Sequence, residues 1–396
     1  MSKKSPQLRF EGFTDDWEQR KLNEVSDIYD GTHQTPKYQD NGVMFLSVEN
    51  IKTLTSNKFI SREAFEDEFK IRPQRGDVLM TRIGDIGTAN VVETDEDLAY
   101  YVSLALFKSE ELNPYFLQAS IYSPFVQDQI WKRTLHIAFP KKINKNEIGQ
   151  VPINVPTLAE QTKIGSFFKQ LDNTITLHQR KLDLLKEQKK GFLQKMFPKN
   201  GEKVPELRFA GFADDWEEHK VGNFLSESKI KGSDGSVSKK LTVKLWRKGI
   251  VPKEEIYKGS SATQYYIRLA GQFMYGKLDF LNQAFGILPN ELDGYESTLD
   301  SPAFDFKDGI NPNFFLEYVC RENFYKYQGN IANGSRKAKR IHADTFFDMP
   351  ITIPNFEEQQ KIGSFFKQLD DTIALHQRKL DLLKEQKKGF LQKMFV

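Results

Sequence analysis

The chain has 396 residues, enough for two or three domains, and its 39% apolar and 28% charged residues are typical of a globular protein. It contains no run of about 18 apolar residues, no N-terminal apolar signal segment and only one cysteine, Cys320, which argues against a membrane span, secretion and a disulfide framework. We therefore expect a cytoplasmic location, and because the net charge is only +3, the distribution of charge is more informative than its total.

The first 155 residues are predicted to form a module of mixed α and β structure. Residues 43–48, 77–81 and 99–107 are apolar, β-prone and bounded by glycine or polar turns, as strands are. A helix over Pro114–Tyr122 is predicted because asparagine is a good cap and proline suits the first turn.

Three loops of this module have the composition of a DNA-binding surface. Residues 30–38 are mostly small or polar, and their His, Gln and Thr side chains can both donate to and accept from base edges. Residues 81–88 place an arginine beside glycines that allow close backbone approach, and residues 139–145 form a basic turn. An ordinary surface loop remains the alternative for each candidate. The candidate DNA-binding residues of this module are Thr32, His33, Gln34, Lys37, Arg82, Lys141 and Lys142.

A long helix is predicted after this module. Thr157 to Glu160 match a capping box, and Pro198 is expected to end the helix. Apolar residues recur at alternating spacings of four and three, the a/d seam of a coiled coil. The helix would contain roughly 40 residues and be about 60 Å long. The seam residues are Ile164, Phe168, Leu171, Ile175, Leu182 and Leu185.

The helix belongs to a long internal repeat. Residues 163–197 return as residues 361–395 with two differences, and residues 6–17 return in similar form as residues 205–216. The helical copies carry net charges of +5 and +4, so the rest of the chain is acidic overall. We expect the two seams to pack together antiparallel; the alternative is that each meets a different chain. The second seam is Ile362, Phe366, Leu369, Ile373, Leu380 and Leu383.

The region between the helices is predicted to form a second, similar module. Residues 271–277 match residues 76–82 in position, and a helix is predicted over residues 312–327. Aligning the halves places a basic turn where module one has Lys141 and Lys142, which favours phosphate contacts in both modules. The candidate DNA-binding residues here are Lys277, Ser335, Arg336, Lys337, Lys339 and Arg340.

No catalytic centre or metal site is predicted. Asn113-Pro and Asn311-Pro are similar to the start of the Asn-Pro-Pro-aromatic motif of amino-methyltransferases, but the second proline is missing and helix capping explains both. Residues 84–87 lack the Lys-Ser/Thr of a P-loop, and no histidine has metal-ligand spacing to a cysteine or another histidine.

The ordered duplication resembles the specificity (S) subunit of type I restriction–modification systems over essentially the whole chain. The resemblance rests on Leu-Arg-Phe-x-Gly-Phe-x-Asp-Asp-Trp in both halves, on Pro-x-x-x-Pro-x-x-x-Glu-Gln before each helix, and on the duplicated helix. Residues 76–87 are similar to a segment common in the target recognition domains of that family, whereas residues 271–277 lack the Asp after Gly.

The residues and the resemblance together predict an α+β fold. Two similar twisted-sheet α/β target recognition modules would be joined by two long helices packed as an antiparallel coiled coil. Residues 1–155 and 200–353 would be the target recognition domains, and residues 156–199 and 354–396 the conserved spacer helices.

The resemblance also implies a non-catalytic subunit that binds double-stranded DNA with a bipartite site. Each module would read one half-site, while the helices would set the spacer and dock two adenine methyltransferase (modification) subunits, which restriction subunits would join. S-adenosylmethionine, ATP and Mg²⁺ would then belong to the partner subunits, with no cofactor in this chain. A coiled-coil scaffold with protein-binding modules and a self-contained DNA-modifying enzyme are the alternatives, distinguished by sequence-selective DNA binding and by methyl transfer from the chain alone.

Overall fold

The computed structural model describes residues 5–199, 201–235, 239–253, 263–331 and 340–395. The chain divides into two units, and the division falls within both long helices. Unit 1 comprises Met1–Arg180 with Arg378–Val396, and unit 2 comprises Lys181–Gln377. Within the described residues, no helix combines the length and the apolar character needed to cross a membrane.

Unit 1 contains the first module and segments of both long helices. Its strands are β1 (Glu18–Lys21), β2 (Asp27–Asp30), β3 (Val43–Leu46), β4 (Phe59–Ile60), β5 (Val78–Thr81), β6 (Ala89–Val91), β7 (Leu98–Tyr100), β8 (Leu104–Lys108) and β9 (Pro152–Val155). Its short helices are α1 (Leu22–Val25), α2 (Arg62–Glu68), α3 (Pro114–Tyr122), α4 (Pro124–Arg133) and α5 (Lys145–Gly149). The first long helix is α6 (Leu158–Lys195).

The central sheet of unit 1 is antiparallel and has the order β2-β8-β5-β6. A second sheet has the order β4-β3-β7, and β1 pairs with β9 next to the long helix. One face of the central sheet packs on α3 and α4 around Phe107 and Phe116, and the other packs on the second sheet around Leu79 and Leu106. Alternating side chains of β5 and β8 therefore serve two cores, as in a sheet covered on both faces.

The strand predicted over residues 99–107 is wrong as a single element. The chain forms β7 in the second sheet, turns at residues 101–103, and enters the central sheet as β8. The turn is closed by a hydrogen bond from the Leu104 N–H to the Tyr101 carbonyl at 2.9 Å. The apolar run continues through the turn because both strands are buried, and composition alone cannot show where a buried run changes sheets.

Unit 2 contains the second module and the remaining parts of both long helices. Its strands are β10 (Glu217–Lys220), β11 (Leu225–Ser228), β12 (Leu241–Val243), β13 (Ile250–Pro252), β14 (Tyr266–Ile267), β15 (Phe273–Tyr275), β16 (Phe285–Ile287), β17 (Glu296–Ser297), β18 (Ala303–Phe306) and β19 (Pro350–Ile353). Its short helices are α7 (Pro312–Val319), α8 (Glu322–Ile331) and α9 (Ala343–Phe347). The second long helix is α10 (Phe356–Lys393).

The central sheet of unit 2 repeats that of unit 1. Its order is β11-β18-β15-β16, every pair is antiparallel, and β10 pairs with β19 as β1 pairs with β9. Its core is dominated by phenylalanine and tyrosine, including Phe273, Phe304 and Phe346. The faint sequence matches between the modules therefore correspond to equivalent strands.

The helix predicted over residues 312–327 is divided in the structure. Residues Pro312–Val319 form α7, Cys320 and Arg321 separate the helices, and Glu322–Ile331 form α8. The start was predicted correctly, since the Asn311 side chain accepts a hydrogen bond from the Phe314 N–H at 3.0 Å. The Asn113 side chain caps α3 in the same way, so both Asn-Pro pairs are helix starts.

Each long helix has 38 residues, and so is about 57 Å long, close to the predicted length. The Glu160 N–H donates to Thr157 Oγ1 at 3.4 Å, as a cap requires. The predicted capping box is nevertheless incomplete, because the Glu160 carboxylate binds Arg9 instead of the backbone at the cap. A buried carboxylate gains more from a guanidinium than from one amide.

The repeated motifs form one set of contacts at the start of each long helix. In unit 1, Arg9 donates two hydrogen bonds to buried Glu160 at 2.7 and 2.8 Å, and Trp17 Nε1 donates a third at 3.2 Å. In unit 2, Arg208 donates two hydrogen bonds to buried Glu358, both at 2.8 Å. The Leu-Arg-Phe segment and the Glu-Gln pair therefore hold the module on its helix.

The glutamine beside each of these glutamates continues this contact. Gln161 Oε1 accepts a hydrogen bond from the Asn113 N–H at 2.9 Å. Helix α6 approaches so closely here that a Cβ on Gly165 would lie 2.3 Å from Asn113 Oδ1, so only glycine fits. The same arrangement recurs in unit 2 at Gln359, Asn311 and Gly363.

Within each unit the helix segments run antiparallel, as predicted. In unit 1 the rings of Phe167 and Phe390 meet edge to face at 4.9 Å, and Lys387 binds Asp172 at 2.5 Å. Residue numbers rise along one helix as they fall along the other. The same two contacts recur in unit 2, where the pairs are Phe192–Phe365 at 5.0 Å and Lys189–Asp370 at 2.6 Å.

The predicted seam residues have two different environments. Ile164 and Phe168 lie in the core of unit 1 with Trp17, and Ile362 and Phe366 lie in the core of unit 2. The first two seam residues of each helix thus pack into a module, whereas the heptad pattern predicted that they pair the helices. Buried seam residues further along are Leu182, Leu185 and Leu380. The half-buried ones are Leu171, Ile175, Leu369, Ile373 and Leu383.

Candidate nucleic-acid interface

The three candidate loops of unit 1 converge at one end of the central sheet. Arg82, which follows β5, donates from Nε to the Ile143 carbonyl at 3.2 Å and pairs with Asp30 at the end of β2. The Gly84 N–H donates to the Lys141 carbonyl at 2.8 Å. Loops far apart in sequence are therefore joined into one surface.

Two of the predicted DNA contacts are largely buried in this surface. Arg82 is 6% exposed and holds Asp30, so it fixes the loops and would have to leave that carboxylate to reach DNA. The Thr32 hydroxyl, 7% exposed, donates to Glu68. Their direct contact with DNA stays a prediction, while their role in positioning the loops is visible in these contacts.

The other candidates in unit 1 are accessible. His33, Gln34 and Lys37 are exposed on the loop that follows β2, and Lys141 and Lys142 are exposed on the basic turn. The backbone of this turn is held firmly, because Lys142 forms bridges to both Ile83 and Leu135. These five side chains can reach a ligand without rearrangement of the fold.

The basic turn also carries apolar residues that the sequence analysis overlooked. Ile137 is 99% exposed and Phe139 is fully exposed, whereas other exposed large apolar side chains of the described residues reach at most 64%. Trp131, near the end of α4, packs against His136 with the rings tilted by 54° and their centroids 4.1 Å apart. Lys141 Nζ lies 4.8 Å from the centroid of the Trp131 ring. The signal in the sequence was two large apolar residues, Ile137 and Phe139, within a basic segment.

Unit 2 repeats the arrangement at the same end of its central sheet. The Ile341 N–H donates to the Lys277 carbonyl at 3.0 Å, as the Ile143 N–H donates to the Arg82 carbonyl at 3.0 Å. Lys277 thus occupies the position of Arg82, and it is also largely buried, with 9% of its surface exposed. Burial lowers the pKa of Lys277, although Glu227 and Asp300 oppose that effect.

Arg340 is the exposed basic residue of this region within the described part of unit 2. Its guanidinium lies 3.3 Å from Asp300. The other predicted residues of this turn lie outside the described residues, namely Ser335, Arg336, Lys337 and Lys339.

A fully buried arginine that the sequence analysis missed supports this surface. Arg268 donates to the Ser228 carbonyl at 2.9 Å and to Ser297 Oγ at 2.8 Å, which joins the ends of β11 and β17. Burial lowers the pKa of Arg268 to about 10. Its role is to hold loops together, as Arg82 does in unit 1. An isolated arginine in a divergent segment offers no sequence signal for this role.

Across the residues that the structure describes, no group of three or more His, Cys, Asp or Glu side chains is arranged to hold a metal ion. Cys320 is buried, and burial raises the pKa of its thiol to about 12. The accessible chemistry of the interface is therefore hydrogen bonding, positive charge and apolar contact.

The comparison with protein families matches this architecture. The family described as "Type I restriction modification DNA specificity domain" matches residues 14–187 and 303–385, about two-thirds of the chain. The chain belongs to this family. The unmatched stretch from residue 188 to 302 includes most of the strands of unit 2, where the two modules differ most in sequence.

Individual relatives agree with the family. The chain is 23% identical over 404 residues, covering 95% of it and 92% of the relative, to a Methanocaldococcus jannaschii protein provisionally named the type I restriction enzyme MjaX specificity subunit. It is 26% identical over 190 residues, 44% of each chain, to the MjaVIII specificity subunit of the same organism. The crystal structure of a type I restriction–modification S subunit from M. genitalium matches over 99% of both chains with a TM-score of 0.67 and 12% identity, which shows the same fold.

Proposed function

We propose that this chain is the DNA sequence-recognition subunit of a type I restriction–modification complex, and that each module binds one half of a bipartite target. One observation carries the proposal. Each unit has its own central sheet with the same strand order, and in each the loops at the corresponding end are joined by an equivalent backbone hydrogen bond, at Arg82 in unit 1 and at Lys277 in unit 2. The exposed side chains of these loops differ between the units. A constant frame with variable contacts is suited to reading two different half-sites.

The exposed residues divide into two classes of contact. Lys37, Lys141, Lys142 and Arg340 are cations on loops and are suited to phosphates, which position a protein on DNA. His33 and Gln34 can donate to and accept from base edges in the major groove. Sequence selectivity would therefore come from the loop after β2, together with further contacts from each module.

The long helices would set the distance between the half-sites. Each is about 57 Å long, which exceeds the 34–36 Å between half-site centres separated by one DNA turn. The contacts of Glu160 and Glu358 make the modules continuous with these helices, so a change in helix length would be transmitted to the modules.

The helices would also bind the modification subunits. Leu177 and Leu184 on α6 are 64% and 52% exposed, and their repeats on α10, Leu375 and Leu382, are 57% and 58% exposed. Each unit thus has two of these exposed leucines, one on each helix, which supports docking of two copies of one partner. The methyl donor and nucleotide chemistry would lie on partner subunits, and this chain would be non-catalytic.

The test is a genome-wide map of methylated adenines in cells that express this chain with a cognate modification subunit. Two short half-sites separated by a fixed gap are expected. Exchanging residues 1–155 for the equivalent module of another specificity subunit should change one half-site, and inserting one heptad in each helix should change only the gap. Absence of selective methylation by a correctly assembled complex would instead favour the protein-binding scaffold.

A further inference from the structure

We propose that the loop between Leu135 and Lys142, hereafter the wedge loop, inserts Ile137 and Phe139 between base pairs of the half-site bound by the first module. This inference rests on the proposed function and adds a mode of recognition, local deformation of the DNA. Proteins that insert apolar side chains at a base step unstack it and kink the duplex.

The first observation is the exposure of the two side chains. Ile137 and Phe139 have essentially no contact with the rest of the chain, since they are 99% and fully exposed. They therefore contribute almost nothing to the stability of the fold. Large apolar groups held in water at the tip of a loop are typical of a surface that becomes buried on binding.

The second observation is the charge around them. From Trp131 to Asn146 the sequence contains Lys132, Arg133, Lys141, Lys142 and Lys145 and no acidic residue. A DNA duplex has a negatively charged backbone around a stack of apolar base faces. The cationic stretch is complementary to the phosphates, and the apolar tip is complementary to the stacked bases. A partner protein with an acidic groove is the alternative that the experiment must distinguish.

The third observation is that the base of the wedge loop is held in place. The Leu135 N–H donates to the Lys142 carbonyl at 2.8 Å, and Trp131 lies against both His136 and Lys141. The bridge from Lys142 to Ile83, together with the hydrogen bond from the Gly84 N–H to the Lys141 carbonyl at 2.8 Å, joins the wedge loop to the Arg82 loop. Insertion then requires little ordering of the protein on binding.

The second module lacks an equivalent wedge by sequence. Aligning the halves places Ser335 at the position of Ile137 and Lys337 at the position of Phe139. The corresponding sequence, residues 333–340, is more basic and contains no large apolar residue. We therefore expect unstacking at the half-site of the first module only, so the other half-site is an internal control.

The experiment uses the assembled complex of the full chain with its modification subunits and a duplex containing the methylation-mapped target. 2-Aminopurine replaces, in turn, each base in and next to both half-sites, because its fluorescence rises when it is unstacked. The variant is Ile137→Ala with Phe139→Ala. The matched control is Ile71→Ala, which removes an exposed apolar side chain of the same module outside the basic stretch. Circular dichroism and subunit co-purification check folding and assembly.

We expect the wild-type complex and the control to unstack one base step in the first half-site away from the methylated adenines. The double variant should lose that signal and bind about tenfold more weakly, because it can no longer stack an aromatic side chain against a base. The target adenines flip for methylation in any case, so a signal at those positions should persist in the variant.

Two results would overturn the inference while leaving the proposed function intact. Unchanged fluorescence and affinity in the double variant would show that the wedge loop does not enter the duplex. Loss of a modification subunit, with the DNA affinity of the remaining complex unchanged, would assign the wedge loop to a protein interface. If the wild-type complex binds no mapped target selectively, the proposed function itself fails, and the inference fails with it.

Discussion

The two units surround one repeated lysine in different ways. In unit 1 Lys387 binds Asp172 at 2.5 Å, and its Nζ lies 5.2 Å from the ring centroid of Tyr122. In unit 2 the equivalent Lys189 binds Asp370 at 2.6 Å and also Glu317 at 3.0 Å. The lysine and the aspartate are the same in both units, and the additional partner of Lys189 comes from the second module.

In unit 2, Glu317 binds a second cation, Arg247, in addition to Lys189. Glu317 on α7 stands where unit 1 has Ala119, and it is bound by Lys189 and Arg247. Burial by itself would raise the pKa of Glu317, but the two cations outweigh it and hold the pKa below its usual range. Arg247 and the preceding Trp246 have left-handed backbone conformations, each costing on the order of 1 kcal/mol.

The comparison teaches how this architecture separates conserved and variable tasks. The backbone frame and the helix contacts come from repeated residues, so they are the same in both units. The stability of each module on its helix also depends on residues that differ, such as Glu317 and Ala119. Changing one module can therefore alter its attachment to the helices as well as its DNA contacts.

The largest effect is expected from Glu317→Ala. The substitution removes the carboxylate that binds both Lys189 and Arg247, and leaves Asp370 as their shared partner. Breaking a buried ion pair costs about 3–5 kcal/mol of unfolding free energy. Asp172→Ala is the comparison in unit 1, where a partly exposed pair should contribute about 1 kcal/mol or less. Urea unfolding followed by tryptophan fluorescence measures both. Equal losses would contradict the proposed difference between the units.

A somewhat smaller effect, equal in both units, is expected from Gly165→Ala and Gly363→Ala. The new Cβ would lie 2.3 and 2.4 Å from the capping asparagine oxygens, so the cap must move, at a cost of about 2–4 kcal/mol. Calorimetric unfolding of the full chain measures the loss.

The same helices supply the control for this prediction. A Cβ on Gly191 or Gly389 would meet nothing within 4 Å. Alanine at these positions should raise the unfolding free energy by up to about 1 kcal/mol, because alanine has the higher helix propensity. Destabilisation by all four substitutions would show that the close approach at the asparagines is not the cause.

The lysines themselves should respond unequally. Lys189→Met keeps the apolar stem but removes a hydrogen-bond donor from buried Glu317, at a cost of about 1–3 kcal/mol. Lys387→Met removes the same group from a partly exposed site, and about 1 kcal/mol or less is expected. The two variants are measured by urea unfolding of the full chain under the same conditions. A larger loss for Lys387→Met would reverse the comparison.

The smallest effect is the difference between Trp17→Phe and Trp216→Phe. Both tryptophans are buried in equivalent cores, so the packing loss is matched. Only the Trp17 Nε1–H has an acceptor, Glu160; within the described residues the Trp216 Nε1–H has none. Trp17→Phe should therefore cost about 1 kcal/mol more by the same unfolding measurement. An equal cost would mean that this hydrogen bond adds no net stability.

Much of the frame was predictable because its signals are local or repeated. The helix starts at Asn113 and Asn311 follow from capping chemistry. The length of α6 follows from its apolar periodicity and from Pro198, and α10 repeats that periodicity. The split of residues 99–107 between two sheets was not predictable, since both strands are equally apolar.

The candidate interface was predicted less completely than the frame. Composition singled out the loops around His33, Arg82 and Lys141, and the structure brings them together. Composition could not show that Arg82 is already paired with Asp30, because the two residues are 52 positions apart. Nor could it show that Ile137 and Phe139 are exposed, since apolar residues in a sequence are ordinarily assigned to a core.

The sequence by itself determined the family, the duplicated architecture and the two long helices, because repetition and periodicity are properties of the chain alone. Only the tertiary structure decided which charges are satisfied inside each unit and which remain for a ligand. The physical reason is that pairs such as Arg82–Asp30, Arg9–Glu160 and Arg247–Glu317 join residues distant in sequence. A cation that is buried and paired in this way supports the fold, because a buried charge is stable only beside a partner.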